Sequence, residues 1–389
     1  MSITTPQGFV AAGLAAGIKA SGALDLALVA TDDGVAVPTA ATFTANLAAA
    51  APVQVSRAHL AATGGMASAV LVSSGNANAA TGERGRADAA AMCALAADRL
   101  DVPAEQVLVC STGLIGIPLP MEPIVAGIPR LVASRAGGDA AGADAAQGIL
   151  TTDSGRKEVL VEYPGFTVAG MAKGAGMLAP NMATMLAFLT TDAAVDPGAL
   201  ADVLRAAVAD SFNSMSVDGC TSTNDTVVLM ASGRAGGGDP TLMADAEAEA
   251  CADLAGQMAA DAEGADTIFQ VQVTGARSDA EAHRAARKVA DSLLVKCSIN
   301  GKDPYWGRVA SELGSAGVDF DMDRLTIAYG GTTVCRGGTQ VPYDEAAVAA
   351  HMAGSMVIIE CGLDLADGTG VVMGVELGYG YIDENRTTS

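Results

Sequence analysis

The chain has 389 residues, enough for two or three hydrophobic cores, and half of them are hydrophobic although only 4% are aromatic. Its formal net charge is -22. A surface this acidic repels phosphate backbones and anionic membranes, so nucleic acid and membrane are not expected as partners.

Hydrophobic periodicity in the N-terminal half predicts strands separated by helices. The hairpin at the end of this half turns at Tyr163-Pro-Gly165. In chain order the pattern predicts a strand at Asp25–Thr31, a strand at Ala69–Ser73, a helix at Ala87–Leu100, a strand at Gln106–Cys110, a helix at Met121–Ala133, a loop leading into a helix at Ser134–Ala146, and a hairpin of Lys157–Glu162 and Phe166–Met171.

The C-terminal half continues with strands and helices in irregular alternation, which is typical of an α/β fold with mixed sheets. A change from a strand to a charged helix makes Gly275–Ser278 the best candidate for a domain boundary. In chain order we expect a strand at Met185–Thr191, a helix at Gly198–Phe212, a strand at Asp225–Met230, a helix at Leu242–Ala262, a strand at Thr267–Val273, a helix at Ser278–Leu293, a strand at Val295–Ile299, and then two further strands and one helix, the helix near Tyr343–Ala353.

No segment indicates export or membrane insertion. The N-terminus lacks a cationic stretch before a compact apolar run, and the uncharged stretches Gly34–Ser56 and His59–Gly82 are interrupted by proline and asparagine. The seven cysteines form no CxxC pair, which favours reduced thiols over disulfides or a zinc site. We therefore expect a cytoplasmic protein without a bound metal.

The chain has three histidines, and none lies in an HExxH pattern or accompanies a GxSxG elbow. This argues against a zincin and against a Ser-His-Asp hydrolase. The pair Gly301-Lys302 lacks the upstream glycine of a phosphate-binding loop, so no ATP site is expected there. A catalytic nucleophile would have to find its base elsewhere.

The segment from Lys173 to Leu186 reads Lys-Gly-Ala-Gly-Met-Leu-Ala-Pro-Asn-Met-Ala-Thr-Met-Leu. Thr184 follows the small residue Ala183 and permits two interpretations. It can open a buried strand, or it can become a new N-terminus whose α-amine, with a pKa of about 7.7–8.0, serves as the base for its own hydroxyl. The second interpretation requires cleavage of the Ala183–Thr184 bond.

This segment resembles the signature of the ornithine acetyltransferase family, also called glutamate N-acetyltransferase. The resemblance covers essentially the whole chain. Supporting motifs are Gln7-Gly-Phe-Val-Ala-Ala-Gly13 with Gly17-Ile-Lys19, Ser74-Gly-Asn-Ala-Asn-Ala-Ala-Thr-Gly82, Ser111-Thr-Gly-Leu-Ile-Gly116, Thr151-Thr-Asp153, Asp218-Gly-Cys-Thr-Ser-Thr-Asn-Asp-Thr226, Glu263-Gly-Ala265 and Asp303-Pro-Tyr-Trp-Gly-Arg308.

The resemblance implies a mixed-sheet α-β-β-α sandwich with a self-cleaving site of the N-terminal-nucleophile kind, plus a smaller C-terminal α/β domain at about 278–389. Cleavage would give an α subunit, 1–183, and a β subunit, 184–389, assembled as an α2β2 heterotetramer. Thr184 would take the acetyl group of N2-acetylornithine, release ornithine, and pass the group to glutamate in arginine biosynthesis. No cofactor is implied.

The resemblance also implies site residues. Thr112 and Gly113 resemble the oxyanion hole, although Ser111-Thr112-Gly113 alone favours an ordinary turn. The implied substrate-binding residues are Thr151 (or its neighbour Thr152), Lys173, Thr184, Glu263, Asn385 and Ser389. The tail departs from the family pattern, because it is short and lacks an aromatic residue between Asn385 and the end.

Two alternatives stay open at this point. A self-cleaving aminopeptidase or amidase of related fold would send the acyl group to water, and a non-catalytic α/β protein would bind a small anion at Lys173. Within the family, a bifunctional variant also uses acetyl-CoA as a co-substrate to acetylate glutamate. We expect that variant from the segment Gly13…Gly17-Ile-Lys19.

Overall fold

A computed structural model of the chain describes residues 2–177, 185–237 and 239–386. The predicted cleavage residues Ala183 and Thr184, and the predicted substrate-binding residue Ser389, lie outside these ranges. No helix within them is long and apolar enough to cross a membrane.

Strands and helices alternate irregularly over the described residues, as expected. The strands are β1 (Phe9–Leu14), β2 (Leu26–Thr31), β3 (Val37–Phe43), β4 (Met66–Ala67), β5 (Ala69–Asn76), β6 (Val107–Leu114), β7 (Lys157–Tyr163), β8 (Phe166–Lys173), β9 (Leu186–Ala194), β10 (Met215–Ser216), β11 (Thr226–Gly237), β12 (Ile268–Ala276), β13 (Thr326–Tyr329), β14 (Thr332–Arg336), β15 (Thr339–Gln340), β16 (Met356–Gly362) and β17 (Gly368–Val375). The α-helices are α1 (Ala51–Ala62), α2 (Gly82–Leu100), α3 (Met121–Ser134), α4 (Asp139–Gly148), α5 (Pro197–Asp210), α6 (Pro240–Ala260), α7 (Asp279–Ala290), α8 (Leu293–Asn300), α9 (Trp306–Gly314), α10 (Glu345–Met352) and α11 (Tyr379–Asn385).

Two mixed sheets pack face to face in the first part of the fold. One has the strand order β1-β2-β5-β6 and the other the order β4-β3-β11-β9-β8-β7. A shared core fills the space between them, with side chains from both sheets. Its members include Val29, Val70 and Leu108 from the first sheet and Met171, Phe188 and Val228 from the second.

Helices cover the outer face of each sheet. Helices α2 and α3 pack on the four-stranded sheet, and α5 and α6 pack on the six-stranded sheet. In strand β9, Leu186 and Phe188 point into the shared core while Ala187 and Leu189 point to the helices. Both faces are therefore buried, and this explains why the strand is apolar without alternation. The predicted α-β-β-α sandwich is confirmed.

The third sheet has seven strands in the order β10-β17-β12-β16-β13-β14-β15. Helices α7 and α9 pack on it around a separate core. Its strand β12 ends at Ala276, so this sheet draws on residues before the proposed boundary at 278. The division into 1–183, 184–389 and a smaller domain from 278 stays a prediction.

The predicted strand at Val295–Ile299 is wrong, because the segment belongs to helix α8. Ser292 caps this helix by accepting the Val295 N–H, and Val295 and Ile299 bury the same helical face four residues apart. The count of two strands and one helix after residue 304 is also wrong, since the described residues there form β13 to β17 and α9 to α11. Strands β13 to β15 have only four, five and two residues, which is too short for a clear periodicity.

Candidate active site

Lys173 and Thr112 meet where the ends of the two facing sheets come together. Lys173 ends strand β8 of the six-stranded sheet, and Thr112 lies near the end of β6 in the four-stranded sheet. Both residues are buried, and the Lys173 ammonium donates a hydrogen bond of 3.4 Å to the Thr112 hydroxyl. The sequence places these residues 61 positions apart, so the fold itself assembles this pair.

Asp153 is the carboxylate around which the site is organised. It accepts hydrogen bonds from the Lys157 ammonium at 2.7 Å, the Gly174 N–H at 2.6 Å and the Thr151 N–H at 3.2 Å, and it lies 3.7 Å from the Lys173 ammonium. Burial alone would raise the pKa of Asp153, but the two lysines and these hydrogen bonds lower it to about 2. Asp153 is therefore ionised at neutral pH and balances two buried ammonium groups.

The Lys173 ammonium keeps donor capacity for a ligand. Burial lowers its pKa, and the nearby carboxylates, Asp153 first, oppose that effect. Its contacts to Thr112 and Asp153 are both longer than an optimal charged hydrogen bond. An ammonium has three donors, so an anionic group entering the site can be bound by Lys173 without displacing Asp153.

Gly113 keeps the end of strand β6 free of side-chain bulk. Its backbone φ is +127°, a value that residues other than glycine rarely adopt. A Cβ atom here would also overlap the backbone of Gly75 on the neighbouring strand β5. Gly113 is also exposed. The backbone beside the Thr112 hydroxyl is therefore accessible and dependent on glycine, as a site for a small carbonyl oxygen requires.

Glu263 lies against the loop that follows Lys173. Its N–H donates to the Ala175 carbonyl at 3.0 Å, and a Cβ atom at Gly176 would overlap its carboxylate. The Asn385 side-chain amide, on helix α11, donates to the Glu263 carboxylate at 2.8 Å. The fold therefore brings Glu263 and Asn385 together, close to the segment that carries Lys173.

A cavity of about 520 Å³ opens beside Glu263. Thr152 lines it, whereas Thr151 directs its N–H to Asp153. The carboxylates on its wall belong to Asp261, Glu263, Asp266, Glu376 and Glu384. This lining favours a ligand that carries a positive charge.

Asp153 and Lys157 belong to the site although the sequence predicted no role for either residue. Both belong to the stretch Thr151-Thr-Asp-Ser-Gly-Arg-Lys157, and both side chains are almost fully buried in the structure. An acidic residue four positions before a lysine was the available signal, but the same spacing is common on exposed surfaces. Among the described residues, no cluster of three or more His, Cys, Asp or Glu could hold a metal ion.

Lys173 ends strand β8, and Leu186 begins strand β9. These two residues are paired neighbours in the antiparallel ladder of β8 and β9. The part of the chain between them includes the predicted cleavage bond. Ala183 and Thr184 themselves lie outside the described residues, so their catalytic roles stay predictions, as does the role of Ser389.

Comparison with known proteins gives a consistent result. Residues 10–387 match the family described as "ArgJ family". The arginine biosynthesis bifunctional protein ArgJ of Mycolicibacterium paratuberculosis is 47% identical over 395 residues, covering 100% of this chain and 96% of the relative. The protein of the same name from Thermosynechococcus vestitus is 42% identical, covering 98% and 96%. A solved chain of ornithine acetyltransferase complexed with ornithine, from Mycobacterium tuberculosis, is 46% identical, covers 46% of this chain and 94% of that chain, and has a TM-score of 0.44.

Proposed function

This chain belongs to the ArgJ family, and we propose that it moves the acetyl group of N2-acetylornithine to glutamate through an acetyl ester on Thr184. The family predicted from the sequence motifs is confirmed, and with it the interpretation of the chain as an enzyme. The observation that carries the proposed chemistry is the contact of the Thr112 hydroxyl with the Lys173 ammonium beside the exposed backbone of Gly113.

The first reaction is self-cleavage. The Thr184 hydroxyl oxygen attacks the Ala183 carbonyl carbon, the C–N bond breaks as the proton passes to the nitrogen, and an ester replaces the amide. Water then hydrolyses the ester. The products are the fragments 1–183 and 184–389, and the second begins with a free α-amine that serves as the base for the same hydroxyl.

The second reaction is acetyl transfer in two halves. The Thr184 hydroxyl gives its proton to the α-amine and attacks the acetyl carbonyl of N2-acetylornithine. The negative charge that develops on the acetyl oxygen faces the Thr112 hydroxyl and the Gly113 N–H. Collapse returns the proton to the leaving nitrogen, releases ornithine and leaves acetyl-threonine. The neutral α-amine of glutamate then attacks this ester, the bond between the acetyl carbon and the Thr184 oxygen breaks, and the proton lost by the amine returns to that oxygen by way of the Thr184 α-amine. N-acetylglutamate leaves, and the free threonine is restored.

Charge complementarity supports the assignment of substrate groups. The buried Lys173 ammonium suits the α-carboxylate that both substrates share. Glu263, held by Asn385 at 2.8 Å and next to an acidic cavity, suits the side-chain ammonium of the donor. Thr151 or Thr152 and Ser389 complete the proposed set, and Thr152 has the support of lining the cavity.

Several broader properties belong to this proposal. The word "bifunctional" in the names of the relatives supports a second reaction in which acetyl-CoA acetylates glutamate. We expect the fragments to assemble as α2β2. All seven cysteines are free thiols, which supports the cytoplasm as the compartment.

The test is the intact mass of the purified chain. We expect two fragments that separate at Ala183–Thr184, and fragment 184–389 should gain one acetyl group when incubated with N2-acetylornithine alone. Thr184→Ala should stay whole and inactive, whereas Thr339→Ala, at an exposed threonine, should behave as wild type. A chain that stays whole, or a Thr184→Ala variant that still splits and transfers acetyl, would overturn the proposal. Acetate release at the same rate with and without glutamate would assign the chain to the hydrolases instead.

A further inference from the structure

Asn224 and Asp225 directly precede strand β11 in the middle of the six-stranded sheet, and both are buried. Neither side chain has a role in the reaction described above. Their hydrogen bonds run in different directions, one to the four-stranded sheet and one to the start of the neighbouring strand β9.

The Asn224 side chain joins the two sheets of the sandwich. Its amide donates to the Ser111 carbonyl at 2.8 Å and to the Ala77 carbonyl at 2.6 Å. Ser111 immediately precedes Thr112 on β6, and Ala77 follows the end of β5. One amide group with two donors therefore fixes the strand ends that carry Thr112 and Gly113.

The Asp225 side chain fixes the start of β9. Its carboxylate accepts the Met185 N–H at 3.0 Å, and the Met185 carbonyl accepts the Thr226 N–H at 3.3 Å. Met185 is thus held through both its backbone groups. It directly follows Thr184 in the chain, so its amide nitrogen is covalently attached to the carbonyl carbon of the proposed nucleophile.

The surroundings of the Asp225 carboxyl favour its protonated form. Burial raises its pKa well above the ordinary value, although the Met185 N–H, the Ser222 hydroxyl and the Lys173 charge oppose this. A protonated carboxyl keeps a carbonyl oxygen that can accept the Met185 N–H.

We propose that Asn224 and Asp225 are positioning residues that together set the spacing between the Thr112–Gly113 strand end and Met185, where the chain enters strand β9. The proposal rests on the proposed function, because that function makes Thr184 the nucleophile. Cleavage removes the covalent link between 1–183 and 184–389, so a non-covalent connection must keep the reacting groups in register. A displacement of about 1 Å costs on the order of 10²-fold in rate.

The experiment compares three substitutions in the full chain. Asp225→Asn keeps a neutral group of the same shape with an acceptor for the Met185 N–H, so self-cleavage and kcat should stay within a few-fold of wild type. Asp225→Ala removes the acceptor, and Asn224→Asp replaces both amide donors with acceptors that face two carbonyls. Each should slow self-cleavage and lower kcat by about tenfold to a hundredfold, with KM for N2-acetylornithine within about twofold.

The control is Asp196→Ala, which removes the cap of α5, where Asp196 accepts two N–H groups at 3.1 Å each. Its melting temperature should fall as in the other variants while kcat stays at the wild-type value. Folded Asp225→Ala and Asn224→Asp variants with wild-type kcat would overturn the proposal. So would an Asp225→Asn variant that folds but loses as much activity as Asp225→Ala, because an ionisable group would then be required. A wild-type chain that neither splits nor transfers acetyl would instead overturn the proposed function.

Discussion

Replacing Asp153 by asparagine should destabilise the chain more than any exposed charge change. The side chain of Asp153 is fully buried, and those of Lys157 and Lys173 are each 3% exposed. Asparagine has nearly the same shape and keeps an acceptor oxygen, but it carries no charge. Lys157 would keep its pair with Asp261, but the buried Lys173 ammonium would lose the carboxylate that lies 3.7 Å away.

The lowered pKa of Asp153 gives an order of magnitude for this effect. The carboxyl titrates at about 2 in the folded chain, against 3.8 for an ordinary aspartate. Because the folded-state pKa is the lower one, its stabilisation is complete above pH 3.8 and is lost as the pH falls through 2. At 1.36 kcal/mol per pH unit, this amounts to about 2.4 kcal/mol at pH 7. Removing one member of a buried ion pair typically costs more, about 3–5 kcal/mol.

The assay is urea denaturation at pH 7 in a Thr184→Ala background, so that a single uncleaved chain unfolds. Asp153→Asn should lower the free energy of unfolding by about 3 kcal/mol. Asp202→Asn is the control, because the pair of Asp202 with Arg205 is 77% and 68% exposed, and it should change stability by less than about 0.5 kcal/mol. If Asp153→Asn lowers the free energy of unfolding by less than about 1 kcal/mol, the prediction is wrong, because the buried lysines then do not depend on this carboxylate.

Three further predictions concern other described residues. Burial raises the pKa of Glu247 from 4.5 to about 8, so ionisation of this group favours the unfolded chain between these pH values. Glu247→Gln should therefore stabilise the chain increasingly over that range, by about 3 kcal/mol at pH 7. A difference in the free energy of unfolding that does not change with pH, measured by urea denaturation, would contradict this prediction. Gly113→Ala should lower kcat by about 10²–10³-fold, because the new Cβ atom overlaps Gly75 and would displace the Gly113 N–H. A steady-state rate near wild type would show that this backbone is not part of the oxyanion site. Asn385→Ala should raise KM for N2-acetylornithine by about tenfold, since it removes a hydrogen bond to the Glu263 carboxylate. An unchanged KM with a reduced kcat would show that Asn385 and Glu263 do not bind the substrate.

The sandwich could be predicted where periodicity and turn chemistry agreed. The hairpin of β7 and β8 turns at Tyr163-Pro-Gly165, and Asp196 before Pro197 marks the start of α5, where its carboxylate caps the helix. Val295–Ile299 shows the limit. Its β-branched residues favour a strand locally, but burial of one helical face against the C-terminal core decides the outcome.

The candidate site was predictable as a set of residues rather than as an arrangement. Family motifs named Lys173, Thr112 and Glu263, but no spacing indicates that Asp153 balances two buried lysines. Such a role depends on which strand ends meet after folding, and burial is what separates this acid from the many exposed ones in a chain of net charge -22. Local sequence carries little of that information.

The order of the six-stranded sheet has a consequence for the cleaved molecule. Strands β11 and β9 lie between β3 on one side and β8 on the other. The proposed cleavage would therefore place β9 and β11 in fragment 184–389 and both of their neighbours in fragment 1–183. The strands of the two polypeptides would therefore alternate within one sheet, and neither polypeptide could dissociate by losing edge strands alone. Separation would require breaking the hydrogen bonds of two strand pairs, β3 with β11 and β9 with β8, at the same time. The cut can free the threonine amine without releasing a dissociable subunit, and mixing mature molecules from two sources should not exchange their halves.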